Sequence, residues 1–393
     1  MKPPSRGAGL MAALFWAASL ALPLVGQVST DAESPVIGIG RRHSVISSVL
    51  GEKVDLVVHL PAEYSSGQKR YPIIVFLGSE YRAKFALAAA ALDYMTAQGQ
   101  IPAIVLIGVD LPHGNFAQVP QENAAGTASA DRHIAALKEE IIPFVDRTFR
   151  TNGYSILYGG SNSGVFAVYA LLSGKLPFQA YFASSPMLGW CPNLLSEKAR
   201  LAFADFSRPS RFLFLIWSDD DIGGVTREMP KFADLLAKCG PSWLRWQLET
   251  RHNEGHVPEM DFPLGLRALF PDYNPRIERM TLRSLQEHFA TLSSRYGFSI
   301  EVPEALLFDA GMALANRQQL DDAQKTFEFA VAQYPRNPQM HAGLGFVFKQ
   351  RGNSDVAIEH LKKALEIDPG QSWAKQQLAE LKTPRKRSGE RTD

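Results

Sequence analysis

Between Val36 and Tyr273 the chain alternates short apolar runs with longer stretches in which apolar residues recur every three or four positions. The short runs are "VDLVVHL", "YPIIVFL", "AIVLIGV", "YSILY", "AYFAS", "RFLFLIW" and "WLRWQLE". Stretches such as "ADRHIAALKEEIIPFVDRTF" between them carry the helical period. Strands this rich in Val, Ile, Leu and Phe are buried on both faces. Helices must therefore cover the sheet on two sides, which predicts an α/β fold with a mostly parallel sheet. The opening "VDLVVHLP" alternates more strictly, as an edge hairpin would.

Past "FPDYNP" the strand signal stops. Residues 276–300 read as a polar linker helix, and after Pro303 the chain repeats itself with a period of 34. Leu307, Ala310, Gly311, Leu314, Ala323, Phe327, Ala330 and Pro335 recur as His341, Leu344, Gly345, Phe348, Ala357, Leu361, Ala364 and Pro369. Small residues at matched positions let two helices of one unit approach closely, and the proline ends the second helix. The pattern resembles the tetratricopeptide repeat. A third copy from Ser372 supplies one capping helix, "SWAKQQLAELK". Two copies cannot cover both of their end faces. The 276–300 helix is expected to cover the first face and "AKQQLAEL" the last. The concave face is then free for a protein or peptide partner, unless the array only braces the preceding domain.

The ends of the chain have their own character. Lys2 and Arg6 precede "LMAALFWAASLALPLV", too short for the roughly 20 apolar residues of a spanning helix. This predicts a signal peptide and leader over 1–32, cut after Gly26 or Ala32, and an exported protein, periplasmic or secreted, with no transmembrane span after cleavage. The expected domains are then 33–275 (the α/β domain), 276–300 (linker helix), 301–382 (repeats and cap) and 383–393 (a solvated basic tail). Lys and Arg outnumber Asp and Glu by one in 393 residues, which argues against nucleic acid as a partner. Export would permit a disulfide between the two cysteines, Cys191 and Cys239, although two buried thiols are the simpler expectation.

The chemistry centres on "ILYGGSNSGVFAVYALL". Here a strand passes through "GGSNS" into a helix, at the end of the sheet where α/β folds bind ligands. Taking Ser161 as centre, Gly159 stands at −2, Ser163 at +2 and Gly164 at +3; centring on Ser163 would place Ser161 and Val165 where glycines are wanted. Ser161 is therefore the candidate nucleophile, and the N–H of Asn162 a candidate oxyanion donor. A serine needs a base, and the base an orienting acid. Downstream, "RFLFLIWSDDD" runs into three aspartates, of which Asp221 is the first choice and Asp219 the second. "RHNEGHVPEMDFPLGLRALF" then offers His256, beside Gly255 and before an apolar helix, ahead of His252. The order serine, acid, histidine suits a hydrolase. "HNEGH" does not suit a metal, because Gly and Asn break the helix that i, i+4 ligation requires.

Over residues 40 to 273 the chain resembles an esterase family of α/β-hydrolases that includes the enterochelin esterases, esterase D and the mycolyltransferases. The likeness rests on "HSVISSVLGEKVDLVVHLPAEYSSGQKRYPIIVFLGS", "IPAIVLIGV", "LKEEIIPFVDRTFRT" and "LYGGSNSGVFAVYALLSGKLPFQAYFASSPMLGW", with Ser185, Pro186 and Trp190, and on "GLRALF". The linker and repeats resemble the tail of a siderophore-esterase-like branch. The resemblance implies a nucleophile at Ser161, an acid at Asp221 and a base at His256, with the second oxyanion donor in the backbone of Ser79 or Glu80. Ser163 replaces the second elbow glycine, "FLGSE" replaces the family's "LDG", and "VDLPHGNFAQVP" replaces an arginine-bearing loop. The expectation is an exported serine hydrolase that cleaves a small-molecule carboxylic ester through an acyl-enzyme, without cofactor or metal. Two alternatives are a degenerate hydrolase scaffold that binds protein through its repeats, and an acyltransferase on the same acyl-enzyme.

Overall fold

A computed structural model describes residues 38–111, 124–275 and 280–382. The expected leader, the tail and most of "VDLPHGNFAQVP" lie outside the described residues. The strands are β1 (Arg41–Ser47), β2 (Glu52–His59), β3 (Tyr71–Leu77), β4 (Val105–Asp110), β5 (Thr151–Gly160), β6 (Ala180–Ser184), β7 (Arg211–Ser218) and β8 (Leu244–Arg251). They form one sheet in the order β1-β2-β4-β3-β5-β6-β7-β8. β1 pairs antiparallel with β2, and β2 with β4, making the expected edge hairpin; every other pairing is parallel. β3 and β6 are buried at every position, as apolar runs covered on both faces must be.

One layer of helices covers each face of the sheet. On one face lie α2 (Ala124–Ala136), α3 (Ile142–Thr148), α4 (Asn162–Ser173), α5 (Pro192–Ala204) and α6 (Gly223–Cys239). A π-helical turn, Leu137–Ile141, joins α2 to α3. Pro143 follows it, and a wider turn accommodates a residue that cannot donate to the carbonyl four positions back. α4 is buried from Asn162 to Leu172, which makes it the central helix behind β5. The other face carries α1 (Arg82–Ala97) and α7 (Asp261–Leu269).

That second face does not end with the sheet domain. Leu285, Phe289 and Leu292 of α8 (Leu282–Tyr296) join Phe262, Leu266 and Phe270 in one apolar cluster. Ile300 and Val302 extend it to Leu306, Leu307 and Ala310 of α9 (Glu304–Asn316), the first repeat helix. The repeats continue as α10 (Leu320–Gln333), α11 (Pro338–Gln350) and α12 (Ser354–Ile367), with α13 (Ser372–Lys382) as the cap. Phe327 of α10 is fully buried between α9 and α11. A Cβ at Gly311 would stand 2.6 Å from its ring, and one at Gly343 2.2 Å. Those two glycines are what let the three helices close on one ring.

The cysteines differ from both expectations. Cys191 and Cys239 are not joined in a disulfide; Cys191 is buried and Cys239 exposed. The buried stripe of α6 runs through Val225, Met229, Phe232 and Leu236, and Cys239 lies past its end. The paired disulfide and the pair of buried thiols are both corrected to one buried and one exposed thiol.

Candidate active site

β5 ends at Gly160 and α4 starts at Asn162, so one residue makes the whole turn. That residue is Ser161, with φ 55° and ψ −117°. A non-glycine residue held there is strained, and such strain persists only where the surroundings over-determine it. Here the surroundings are close. Ser161 N–H donates to Ser184 O at 2.8 Å, and Ser161 O accepts from Val165 N–H at 3.1 Å. A Cβ on Gly159 would stand 2.1 Å from the Ser163 carbonyl oxygen. One on Gly164 would stand 3.0 Å from Ser184 O. The close approach of helix to strand thus falls on Gly159 and Gly164, and Ser163 is accommodated, buried, between them.

The imidazole comes from the loop between β8 and α7. Asn253 (φ 53°), Gly255 (φ 68°) and Val257 (φ 59°) are left-handed, a contorted path that brings His256 back over the elbow. His256 Nε2 lies 2.9 Å from Ser161 Oγ, and its Nδ1 2.6 Å from Asp221 Oδ1. With the proton on Nδ1, Nε2 accepts from the serine hydroxyl. The Asp221 side chain is fully buried, and His256 is 28% exposed. Burial pushes the Asp221 carboxyl up, but hydrogen bonds from His256, Ser185 and the Ile222 N–H outweigh it and leave the acid below its ordinary range.

The three aspartates after β7 divide the loop between them. Asp219 faces His252 Nδ1 at 2.5 Å and accepts from the Asn253 N–H. Asp220 accepts from Ser218 Oγ and from the Gly255 N–H at 3.0 Å. Only Asp221 reaches His256. The structure therefore brings Ser161, His256 and Asp221 together, and sets His252 and Asp219 apart as a second pair.

The two oxyanion candidates lie on different elements. Asn162 opens α4, among the first-turn N–H groups that have no intrahelical acceptor. Ser79 and Glu80 lie between β3 and α1, after Gly78 at φ 92°. Ser79 is buried and its hydroxyl donates to Asp110 Oδ1. Burial pushes the Glu80 carboxyl up against the pull of its own N–H, and Asp110 adds to the rise.

Sequence reasoning did not assign Ser185 a role. Its hydroxyl donates to Asp221 Oδ2 at 2.5 Å and accepts from the Val257 N–H at 2.9 Å, so one side chain holds both the acid and the histidine loop. The available signal was the "SSP" that follows β6. Among the described residues no group of three or more His, Cys, Asp or Glu could hold a metal ion.

Residues 47–219 match the profile of a family described as putative esterase, and residues 308–372 that of the tetratricopeptide repeat. No curated protein sequence matches the chain. Among solved structures, an IroE-like serine hydrolase from Shewanella oneidensis is 21% identical, with a TM-score of 0.64 over 75% of this chain and 99% of that one. A protein from Capnocytophaga ochracea is 15% identical, with a TM-score of 0.56 over 87% of this chain and 99% of that one. The siderophore hydrolase EstA from Aspergillus nidulans is 17% identical, with a TM-score of 0.53 over 62% and 99%. At these identities the likeness is one of fold.

Proposed function

We propose that in this carboxylic ester hydrolase, whose residues 47–219 match the esterase profile, Ser161, His256 and Asp221 cleave the ester through an acyl-enzyme. The observation that carries this is the continuous chain of contacts from Ser161 Oγ through His256 to buried Asp221, at 2.9 and 2.6 Å. Ser161 Oγ attacks the ester carbonyl as His256 Nε2 takes its proton. The negative charge on the carbonyl oxygen is met by the Asn162 N–H and by the backbone at Ser79 or Glu80. His256 returns the proton to the departing alcohol, leaving the acyl group on Ser161. It then activates a water for the second attack. Asp221 holds the imidazole and stabilises its charged form.

A fluorophosphonate probe tests the reading, because only a serine activated by its base is labelled. The expected result is one adduct, on the peptide that carries Ser161, lost in Ser161→Ala. An intact protein that takes no label favours the scaffold reading instead. Product analysis after a single turnover, with and without an alcohol, distinguishes hydrolysis from acyl transfer.

The reading places the enzyme outside the cytoplasm because of the basic and apolar leader at 1–32. Among the described residues no helix is long and apolar enough to cross a membrane. Fractionation with N-terminal sequencing should find the mature chain starting after Gly26 or Ala32.

For the repeats, the shared apolar cluster favours bracing: Leu306, Leu307 and Ala310 pack into the same core as α7 and α8. Truncation before Glu301 should lower the melting temperature and reduce activity on every ester. If stability and small-ester turnover survive, the role passes to a protein or peptide partner bound on the repeats.

A further inference from the structure

The left-handed loop that carries His256 needs ties from outside itself, and most of them come from one side. Asn253, Glu254 and Gly255 donate to Asp219, Ser218 and Asp220 at the end of β7, and Val257 donates to Ser185 after β6. One tie comes from the opposite side. Lys84, in the first turn of α1, donates through Nζ to Pro258 O at 2.8 Å and pairs with Asp261 Oδ1 at 2.9 Å.

Asp261 opens α7, and its side chain is fully buried. It also accepts from the Phe262 N–H at 2.6 Å and from Tyr158 Oη at 2.8 Å. Burial pushes the Tyr158 phenol well up, so it serves as a donor. The surroundings are apolar and aromatic. Phe76 stacks on Tyr158 with centroids 4.3 Å apart, and Phe262 stands edge-on to both rings. A charged pair is costly in such a place, and hydrophobic residues of similar volume commonly serve stability as well or better. The network also touches the elbow. A Cβ on Gly160 would meet Val257 Cγ1 at 3.2 Å and Tyr158 Oη at 3.5 Å.

We propose that Lys84 is a positioning residue for His256, tying the helix that follows the Ser79–Glu80 loop to the far end of the histidine loop. Its backbone N–H is bonded to Tyr81 O, so the ammonium is placed by the same turn that shapes the candidate oxyanion loop. One side chain thus sets the separation between the oxyanion donors and the imidazole. The tie acts on orientation and not on substrate binding, so its loss should fall on kcat. A displacement of about 1 Å can cost on the order of 10²-fold.

The inference rests on the Ser161–His256–Asp221 reading, and one experiment separates the two. In the full-length protein, p-nitrophenyl acetate turnover, fluorophosphonate labelling rate and Tm are measured for wild type, Ser161→Ala, Lys84→Met/Asp261→Asn and Lys84→Arg. The double variant removes both charges together, so no buried ion is stranded. The expected result is a Tm equal to or above wild type, with kcat and labelling rate down about 10- to 100-fold and KM within about threefold. Lys84→Arg should recover part of the rate, because it keeps a donor and a charge. A double variant that keeps kcat within about twofold overturns the positioning role. So does one whose lost activity tracks a lowered Tm while Lys84→Arg, folded as wild type, shows no rate change. Turnover that survives in Ser161→Ala overturns the site reading itself.

Discussion

Two carboxylate–imidazole pairs leave the same end of β7 and close on the same loop. Asp221 and His256 are 2.6 Å apart, and Asp219 and His252 2.5 Å. The contact is equally short in both, so it does not decide which pair does chemistry. Burial and the second ring nitrogen tell the two apart. The first pair is 0% and 28% exposed, and its free nitrogen faces Ser161 Oγ. The second is 44% and 79% exposed, and its free nitrogen faces the Asn253 side-chain nitrogen. Water screens the outer pair and holds nothing in place for it to act on. An acid–histidine contact marks a site only when its far side meets a nucleophile.

The sharpest test of this contrast is the nucleophile. Ser161→Ala should lower kcat on short aryl esters by about 10⁴- to 10⁶-fold, while Ser163→Ala stays within several-fold. Comparable losses in both would move the site off the elbow centre. Next come the pairs themselves. His256→Ala should match Ser161→Ala, and Asp221→Asn should cost about 10⁴-fold in kcat. His252→Ala and Asp219→Asn should each stay within about threefold. A loss in His252→Ala equal to that in His256→Ala would abolish the distinction.

The third test addresses what keeps the inner pair in place. Ser185→Ala removes a donor to buried Asp221 and an acceptor for the Val257 N–H. It should destabilise the fold by about 1–3 kcal/mol in chemical denaturation and slow turnover by about tenfold.

The smallest effects are in pH. His252 is raised by its hydrogen bond to Asp219. Whatever the outer pair adds to stability is therefore fully present below the ordinary imidazole range and fades as pH rises through the raised value. NMR titration should show His252 above about 6.5, returning toward it in Asp219→Asn. Asp219 and Asp221 are both lowered, so their contributions are present above the ordinary carboxylate range and are lost as acid takes pH down through the folded values.

Much of the fold is legible in local pattern. "YPIIVFL" and "AYFAS" are β3 and β6 residue for residue, because a strand buried on both faces leaves an unbroken apolar run. "YSILY" is only the middle of β5, which runs from Thr151 to Gly160. Its ends carry Asn and Gly, residues that local propensity assigns to turns. β1 had no apolar run to announce it, since it is a mostly exposed edge strand held by its pairing with β2. In the candidate site, Ser161 and His256 are legible because small residues, strand ends and chain order all point the same way, and Asp221 as the first choice ahead of Asp219. Ser185 and Lys84 are not. Their partners lie 36 and 174 residues away; the "SSP" around Ser185 marks a turn without naming what it meets, and nothing near Lys84 signals its contact.

The repeats show the same division. A period of 34 identifies the helical pairs and an end face in need of cover, for which the 276–300 helix is the expected lid, but not the shared core with α7, because a helix face records that it is apolar and not every surface that meets it. By itself the sequence determined what repeats along a short stretch of chain: strand and helix periods, a glycine-flanked turn, the order serine, acid, histidine. The tertiary structure alone supplied the burial and the contacts: it buries Asp221, the first choice among three adjacent aspartates, against an imidazole, and joins the first repeat to the core of α7 and α8. Burial is a property of where distant segments meet, and three aspartates in a row are chemically identical until the fold takes one of them out of water.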